Sequence, residues 1–355
     1  MTINTRDVPP TNTARVRDWS FYTMGDAYER QGEVEYVIDP LFARPSLNIL
    51  YGAPNSLKSF LLADAAVCVA SGQRWLKSPS QENDIGFETQ QAAVLWLEFD
   101  NGNLTTHNRF SALGRAYETA PTAPLNYISL PDPTLNASNA NHIDELVGHA
   151  RRLQAHLIII DNLGRVSGGL DENSSAMDRV MQGLRRLAEN TRAAIVVIHH
   201  QRKTQNNAGV RKGETLRGHS SIEAALDLAL LVQRKEKDSL VEITATKERN
   251  LPVSDFGAVF ESQTYENRQG LEKAWFVGTF PEFRGTDAIA ANKAIELLSS
   301  GRMMRTELKT ELRKLPRVGE TTVEKVIKAL VEQQRICWEQ EPGSAHRQWY
   351  SLAPR

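Results

Sequence analysis

Only two cysteines, Cys68 and Cys337, occur in 355 residues. They lie far apart in apolar surroundings, which excludes a disulfide framework and argues against a structural zinc site; buried thiols of a reducing compartment are expected. No apolar run approaches the ~20 residues that a membrane span needs. The opening MTINTRDVPPTNT is too polar for a secretory leader, so a cytoplasmic protein without membrane contact is expected. Charge of one sign is also missing: 42 Lys+Arg stand against 43 Asp+Glu, a net charge of −1. That excludes a wholly basic, nucleic-acid-coating chain and leaves room for a local basic patch. What is present is the makings of a sizeable core, with 41% hydrophobic and 24% charged residues, enough for one large domain and one or two small ones.

The chain is organised around residues 46–71, SLNILYGAPNSLKSFLLADAAVCVAS. Leu47, Ile49, Leu50 and Tyr51 form an apolar run too short for an independent helix and read as a buried strand. Phe60, Leu61, Leu62, Ala65, Val67 and Val69 form an apolar helix stopped by Ser71-Gly72. Between them stands Gly52-Ala53-Pro54-Asn55-Ser56-Leu57-Lys58-Ser59, which with Phe60 is the expected nucleotide-contacting set. A strand, a tight loop, and Lys-Ser in the first helical turn make the context of a phosphate-binding loop. Loop N–H groups and the helix N-terminus offer partial positive charge to a polyphosphate. ATP and Mg²⁺ are the implied ligands, with Lys58 on the β- and γ-phosphates and the Ser59 hydroxyl on the metal. One position departs from the usual pattern: Leu57 stands where glycine is normal. A positive φ there costs roughly 1–2 kcal/mol for a non-glycine residue. Leu57 leaves three outcomes open: competent hydrolysis, binding with poor hydrolysis, or a chance Lys-Ser.

Taken in order, residues 1–20 read as a polar arm, 21–284 as one large domain and 285–355 as a small one. Residues 21–45, rich in Tyr and Phe, read as a lead-in beside the first core strand. Strands are expected at 93–102, 126–130, 157–162 and 193–200, and helices at 104–117, 143–154 and 177–191; a Gly/Ser loop is expected at 164–175. From 226 to 279 the pattern is strand-rich. Strands alternating with helices and then a run of strands predict an α/β fold, an open, mainly parallel sheet extended by antiparallel strands. In such sheets ligands bind at the carboxyl ends of the strands, and Gly52, Asp100, Asp161 and His200 all fall at such ends. From 285 onward, three short helices and two strands predict a winged-helix pattern. Its third helix carries Lys325 and Lys328 as candidate duplex-DNA contacts and its wing His346 and Arg347; a domain for protein contacts alone is the competing reading.

Phosphoryl transfer to water needs a cradle, Mg²⁺, an oriented water and neutralisation of developing charge. Asp161, after an apolar strand, is the natural partner for the hydrated Mg²⁺. Glu98 and Asp100, on one face of the neighbouring strand by alternation, are both candidates to orient water. His200 can donate to the γ-phosphate; the competing reading of His199-His200 is one buried and one surface histidine.

Together these residues resemble the RecA-like ATPases, and more closely the plasmid RepA-like hexameric helicase group. The resemblance rests on LNILYGAPNSLKSF, AAVLWLEFDNG, LIIIDNLGRVSGGLDEN, AAIVVIHHQRK, ETLRGHSSIEAALDLALLV and VEITATKERN, in that order. It implies that Asp100 falls where the family has its catalytic glutamate, with Glu98 two residues back as the other choice. It places His200 on the γ-phosphate sensor. It places Lys247 and Arg249 on the basic pair that reaches a neighbouring subunit's nucleotide, so a homo-oligomer, a hexameric ring, is implied. The loop after His200 holds Arg202, Lys203, Arg211, Lys212 and Arg217. By resemblance it lines the central channel and holds single-stranded DNA by its phosphates; having no aromatic, it implies tracking without base preference. The activity implied is an ATP-dependent DNA motor of a mobile element or phage. The alternatives are a DNA-stimulated ATPase that loads or remodels partner proteins, and a nucleotide-gated DNA-binding regulator with negligible turnover.

Overall fold

The computed structural model describes residues 22–29, 32–77, 85–201, 220–234, 238–249, 251–280, 285–333, 335–341, 343 and 347–353. Contacts divide the chain into two units, Met1–Val34 and Glu35–Arg355. In the first, helix α1 (Met24–Tyr28) starts at Thr23, whose hydroxyl accepts from the Asp26 N–H while the Asp26 carboxylate accepts from the Thr23 N–H. This reciprocal cap satisfies two orphan donors of a helix that buries nothing.

The second unit begins with a hairpin, β1 (Glu35–Ile38) and β2 (Phe42–Arg44), and then β3 (Ser46–Gly52) and α2 (Lys58–Ser71). β4 (Ala93–Glu98), α3 (Asn103–Ala116), β5 (Leu125–Ser129) and α4 (Ala140–Arg152) follow. Next come β6 (Ala155–Asp161), a short α5 (Leu163–Val166), α6 (Met177–Thr191) and β7 (Ala194–His200). Then α7 (Ser220–Ala225), β8 (Leu228–Arg234), β9 (Leu240–Glu248), β10 (Phe256–Thr264) and β11 (Leu271–Thr279) complete a nine-stranded sheet. Its order is β11-β10-β9-β8-β3-β7-β6-β4-β5. The strands from β8 to β5 are parallel, and β9, β10 and β11 extend them antiparallel, as the sequence pattern predicts.

Strand alternation divides the core into two layers. On one face Leu50, Val94, Trp96, Val196 and Ile198 pack on α2 and α3. On the other Leu47, Ile49, Leu95, Leu97, Ile195 and Val197 pack on α4 and α6. Three differences from the sequence pattern have physical causes. α5 and α7 are too short to show a helical period: α5 lies at the start of the expected Gly/Ser loop, and α7 just before the strand-rich stretch, where no helix is expected. The hairpin of β1 and β2 reads as an irregular lead-in because each strand is shorter than a pattern window.

The C-terminal residues form α8 (Gly285–Ser299), β12 (Met303–Met304), α9 (Arg305–Arg313), α10 (Glu320–Glu332), β13 (Ile336–Gln340) and β14 (Gln348–Leu352). The three strands pair antiparallel in the order β12-β14-β13. Ala294, Leu308, Leu312, Val326, Leu330 and Tyr350 close a separate small core.

One buried carboxyl ties the phosphate-loop helix to its surroundings. Asp64, on α2, accepts from Tyr117 Oη at 2.9 Å, Trp75 Nε1 at 3.1 Å and the Phe276 N–H at 3.2 Å. Complete burial nevertheless pushes it up to about 8, against these three bonds. A group with its folded-state value raised binds its proton more tightly when folded. Its stabilisation is therefore full below about pH 4 and lost as pH rises toward 8, at a slope of up to about 1.4 kcal/mol per pH unit. Unfolding midpoints in urea between pH 5 and 8 are expected to fall along this slope, and Asp64→Asn to lower them overall and flatten it. An unchanged slope in the variant removes Asp64 as the source.

Candidate nucleotide site

β3 leads straight into the loop. Gly52 closes it with no room for a side chain, since a Cβ there would stand 2.2 Å from the Val232 carbonyl oxygen on β8. Asn55 and Leu57 both take left-handed backbone, with φ of 62° and 64°. Asn tolerates this region; for Leu57 the cost is roughly 1–2 kcal/mol. Leu57 is the N-cap of α2, its carbonyl accepts the first helical bond from Leu61 at 2.9 Å, and its side chain packs on the core. The glycine-like conformation is thus kept with a leucine in it.

Lys58 is buried, and its ammonium folds back on the loop, donating to the Ala53 carbonyl at 2.7 Å and to Ser56 Oγ at 3.2 Å. Burial lowers it to about 8, against the pull of the Asp161 charge. Asp161 is the last residue of β6. Burial pushes its carboxyl up to about 7, helped by the Glu98 charge and opposed by a hydrogen bond from Ser59. Its Oδ2 is buried without a hydrogen-bond partner. An orphaned carboxylate oxygen beside the Ser59 hydroxyl fits Mg²⁺. Among the described residues no cluster of three or more metal-ligating side chains occurs.

The two acids of β4 have different surroundings. Glu98 is fully buried and faces Asp161 across the ladder. Its Oε1 accepts from the Asp100 and Asn101 N–H groups and Asn101 Nδ2, each at 3.1 Å, and its Oε2 takes Arg109 Nη1 at 3.2 Å. Asp100 stands at the rim, a third exposed, with Arg165 Nε 2.6 Å from its Oδ1 and Asn162 Nδ2 on its Oδ2. His200 lies beside Gly52 in the β3–β7 register, and the Gln201 N–H donates to the Gly52 carbonyl at 3.0 Å. His199 is buried, with Nδ1 4.0 Å from Glu172. Gly52 to Phe60, Glu98, Asp100, Asp161 and His200 thus gather at the carboxyl ends of β3, β4, β6 and β7.

Lys247 and Arg249 lie elsewhere. β9 runs antiparallel, so its last residues pair with Leu228 and Ala229 at the start of β8. The Arg249 N–H bonds the Asp227 carbonyl and the Asp227 N–H bonds that of Leu47, at the far end of β3 from Gly52, ~16 Å away along the strand. Lys247 Nζ donates to the Glu223 carbonyl and Arg249 Nη2 to that of Ala224. Burial and the Arg249 charge lower the Lys247 ammonium. Lys325 pairs with Asp287 at 2.6 Å and Lys328 with Glu332 at 3.6 Å. Arg202, Lys203, Arg211, Lys212, Arg217 and His346 lie outside the described residues.

Four residues of this site escape sequence reasoning: Arg109, Asn162, Arg165 and Arg234. Arg109 sits on α3, neutralises Glu98 and lies over the Phe60 ring at 5.2 Å. Arg234, the last residue of β8, donates from Nη1 to the Asn55 carbonyl at 3.1 Å. Each is a charge or amide at an element's end or on a helix, where a solvated side chain is the ordinary reading. Asn162 alone carried a signal, since it follows the strand's terminal acid.

A family model described as an AAA domain matches residues 10–206. No curated protein matches the chain. The match spans more than half of the chain and contains the loop, both acidic strands and the histidine strand, so this protein belongs to the AAA domain family of P-loop ATPases.

Proposed function

We propose that this chain is an oligomeric DNA motor of the RepA-like hexameric helicase group, which hydrolyses ATP at subunit interfaces and tracks single-stranded DNA. The observation that carries this reading is the two-ended layout of the sheet. The cradle lies at the carboxyl ends of the strands, and Lys247 and Arg249 lie at the other end, out of reach of their own loop. If a basic pair so placed acts on a nucleotide, it is one held by another copy, which ties turnover to assembly.

Bound MgATP supplies the scissile phosphoanhydride and the divalent charge that screens it. Lys58 leaves Ala53 and Ser56 for the phosphates, Ser59 and Asp161 hold the hydrated metal, and Asp100 orients the attacking water. His200 donates to the terminal phosphate, and Arg249 of a neighbouring copy neutralises charge as it develops. Residues 202–219 bring the basic groups for a DNA backbone. The C-terminal helices and antiparallel strands act as a winged helix; any duplex contact by Lys325 or Lys328 first breaks their pairs with Asp287 and Glu332.

A second reading, a nucleotide-gated regulator with negligible turnover, is favoured by the left-handed Leu57. Steady-state ATPase with and without single-stranded DNA separates the two, with Lys58→Ala as the inactive control. Turnover that rises with DNA supports the motor, and a strand-displacement assay then separates unwinding from partner loading. Binding of both ligands without turnover overturns it for the regulator.

A further inference from the structure

β8 touches the phosphate loop twice. The Val232 carbonyl lies against Gly52, where only hydrogen fits. Two residues on, Arg234 reaches the middle of the loop: its Nη1 donates to the Asn55 carbonyl at 3.1 Å and its Nε to the Asp238 carbonyl at 2.5 Å. One guanidinium thus bridges the loop to the connection between β8 and β9. The carbonyl it holds belongs to the peptide between Asn55 and Ser56, inside the stretch whose two left-handed residues are Asn55 and Leu57.

We propose that Arg234 is a positioning residue for ATP: it pins the Asn55 carbonyl on the outer side of the loop and so keeps the Leu57-bearing cradle in its phosphate-binding shape. The inference rests on the nucleotide-site reading and deepens it. In a planar trans peptide the C=O and the following N–H point in opposite directions. Holding the Asn55 carbonyl outward therefore aims the Ser56 N–H inward, where a phosphate is to sit. A glycine at position 57 adopts left-handed backbone freely; leucine does not, and a loop containing it needs an external tie. Lys58 supplies such ties through Ala53 and Ser56, but it gives them up when it turns to the phosphates. Arg234 belongs to β8 rather than to the loop, and on this proposal it keeps its bond through that change. Arginine suits the task because its fork donates to two carbonyls at once.

The test is a binding titration with a fluorescent ATP analogue and Mg²⁺, run without turnover, on the full-length chain. Arg234→Ala and the milder Arg234→Gln, which keeps a neutral donor, are expected to weaken binding by ~10-fold or more, the scale of a lost hydrogen bond from a charged donor. Leu57→Gly alone is measured as the reference against which the double variants are read, since a glycine there adopts left-handed backbone freely. The decisive variants are Leu57→Gly/Arg234→Gln and Leu57→Gly/Arg234→Ala, in which the glycine is expected to restore most of the loss, because a relaxed loop no longer needs the tie. A purely structural role or a direct phosphate contact by Arg234 gives no such rescue. The inference is overturned by wild-type affinity in both single variants, or by double variants as weak as the single ones. Lys58→Ala keeps the two levels apart: if it binds as the wild type does, the nucleotide-site reading falls, and Arg234 with it. Loss in Lys58→Ala with no loss in the Arg234 variants overturns the inference alone.

Discussion

Asp100→Asn is expected to lower ATP turnover by ~10²–10⁴-fold, the range of a lost general base, while ATP still binds. The neighbouring change, Glu98→Gln, is expected to act on stability instead. Both Glu98 oxygens are already taken, Oε1 by three donors and Oε2 by Arg109, and no part of the residue reaches solvent. Oε1 is saturated, and the one lone pair left on Oε2 is cut off from solvent by complete burial. Removing its charge leaves the Arg109 guanidinium buried without its partner, a change that costs roughly 3–5 kcal/mol. Asp100 is different: it is a third exposed, and its contact to the exposed Arg165 is worth at most ~1 kcal/mol, so it is free to exchange that partner for a water. Turnover and urea unfolding measured on the same two proteins decide the assignment. If Asp100→Asn stays active, and Glu98→Gln loses turnover at unchanged stability, the roles are the reverse.

This pair marks the border of what the chain discloses. β3, β6 and β7 are legible because each is a short run of apolar residues buried on both faces, and their convergence on Gly52, Asp161 and His200 follows from parallel strand direction alone. Leu57 is legible as an anomaly; that the loop keeps its bend there, with a φ of 64°, is not. Which acid of the β4 end is buried in an ion pair is not legible, because the deciding partner, Arg109, arrives from α3 through a turn of helix that sequence spacing does not orient. Arg234 is invisible for a similar reason: a charge at a strand end looks solvated until the neighbouring loop is in place. α7 is hidden by its six residues, too few for a period. Its carbonyls nevertheless hold Lys247 and Arg249, so the resting position of the basic pair could not be read either.

That resting position sets the last expectation. Arg249 is half exposed, bonded to the Ala224 carbonyl and 3.4 Å from Asp227, and Asp227 also holds Arg185 at 2.7 Å. To serve a neighbour, the guanidinium must leave Ala224 and Asp227 and turn outward; Asp227 keeps Arg185 and the Leu47 N–H. Arg249→Ala is therefore expected to leave ATP affinity near normal and fold stability little changed, while turnover falls by ~10³-fold or more, the scale of a lost arginine finger. Because the group acts across an interface, two inactive proteins are expected to complement each other. In a mixed oligomer the Lys58→Ala copy lends its Arg249, and the Arg249→Ala copy lends its intact cradle. ATPase activity of the mixture is measured against each protein alone, with co-assembly checked by a tag on one of them. A role for Arg249 confined to tying β9 to α7 predicts a lower unfolding midpoint and no complementation. Mixed oligomers that form and stay inactive place Arg249 within its own subunit, and the layout of the sheet then loses its connection to turnover.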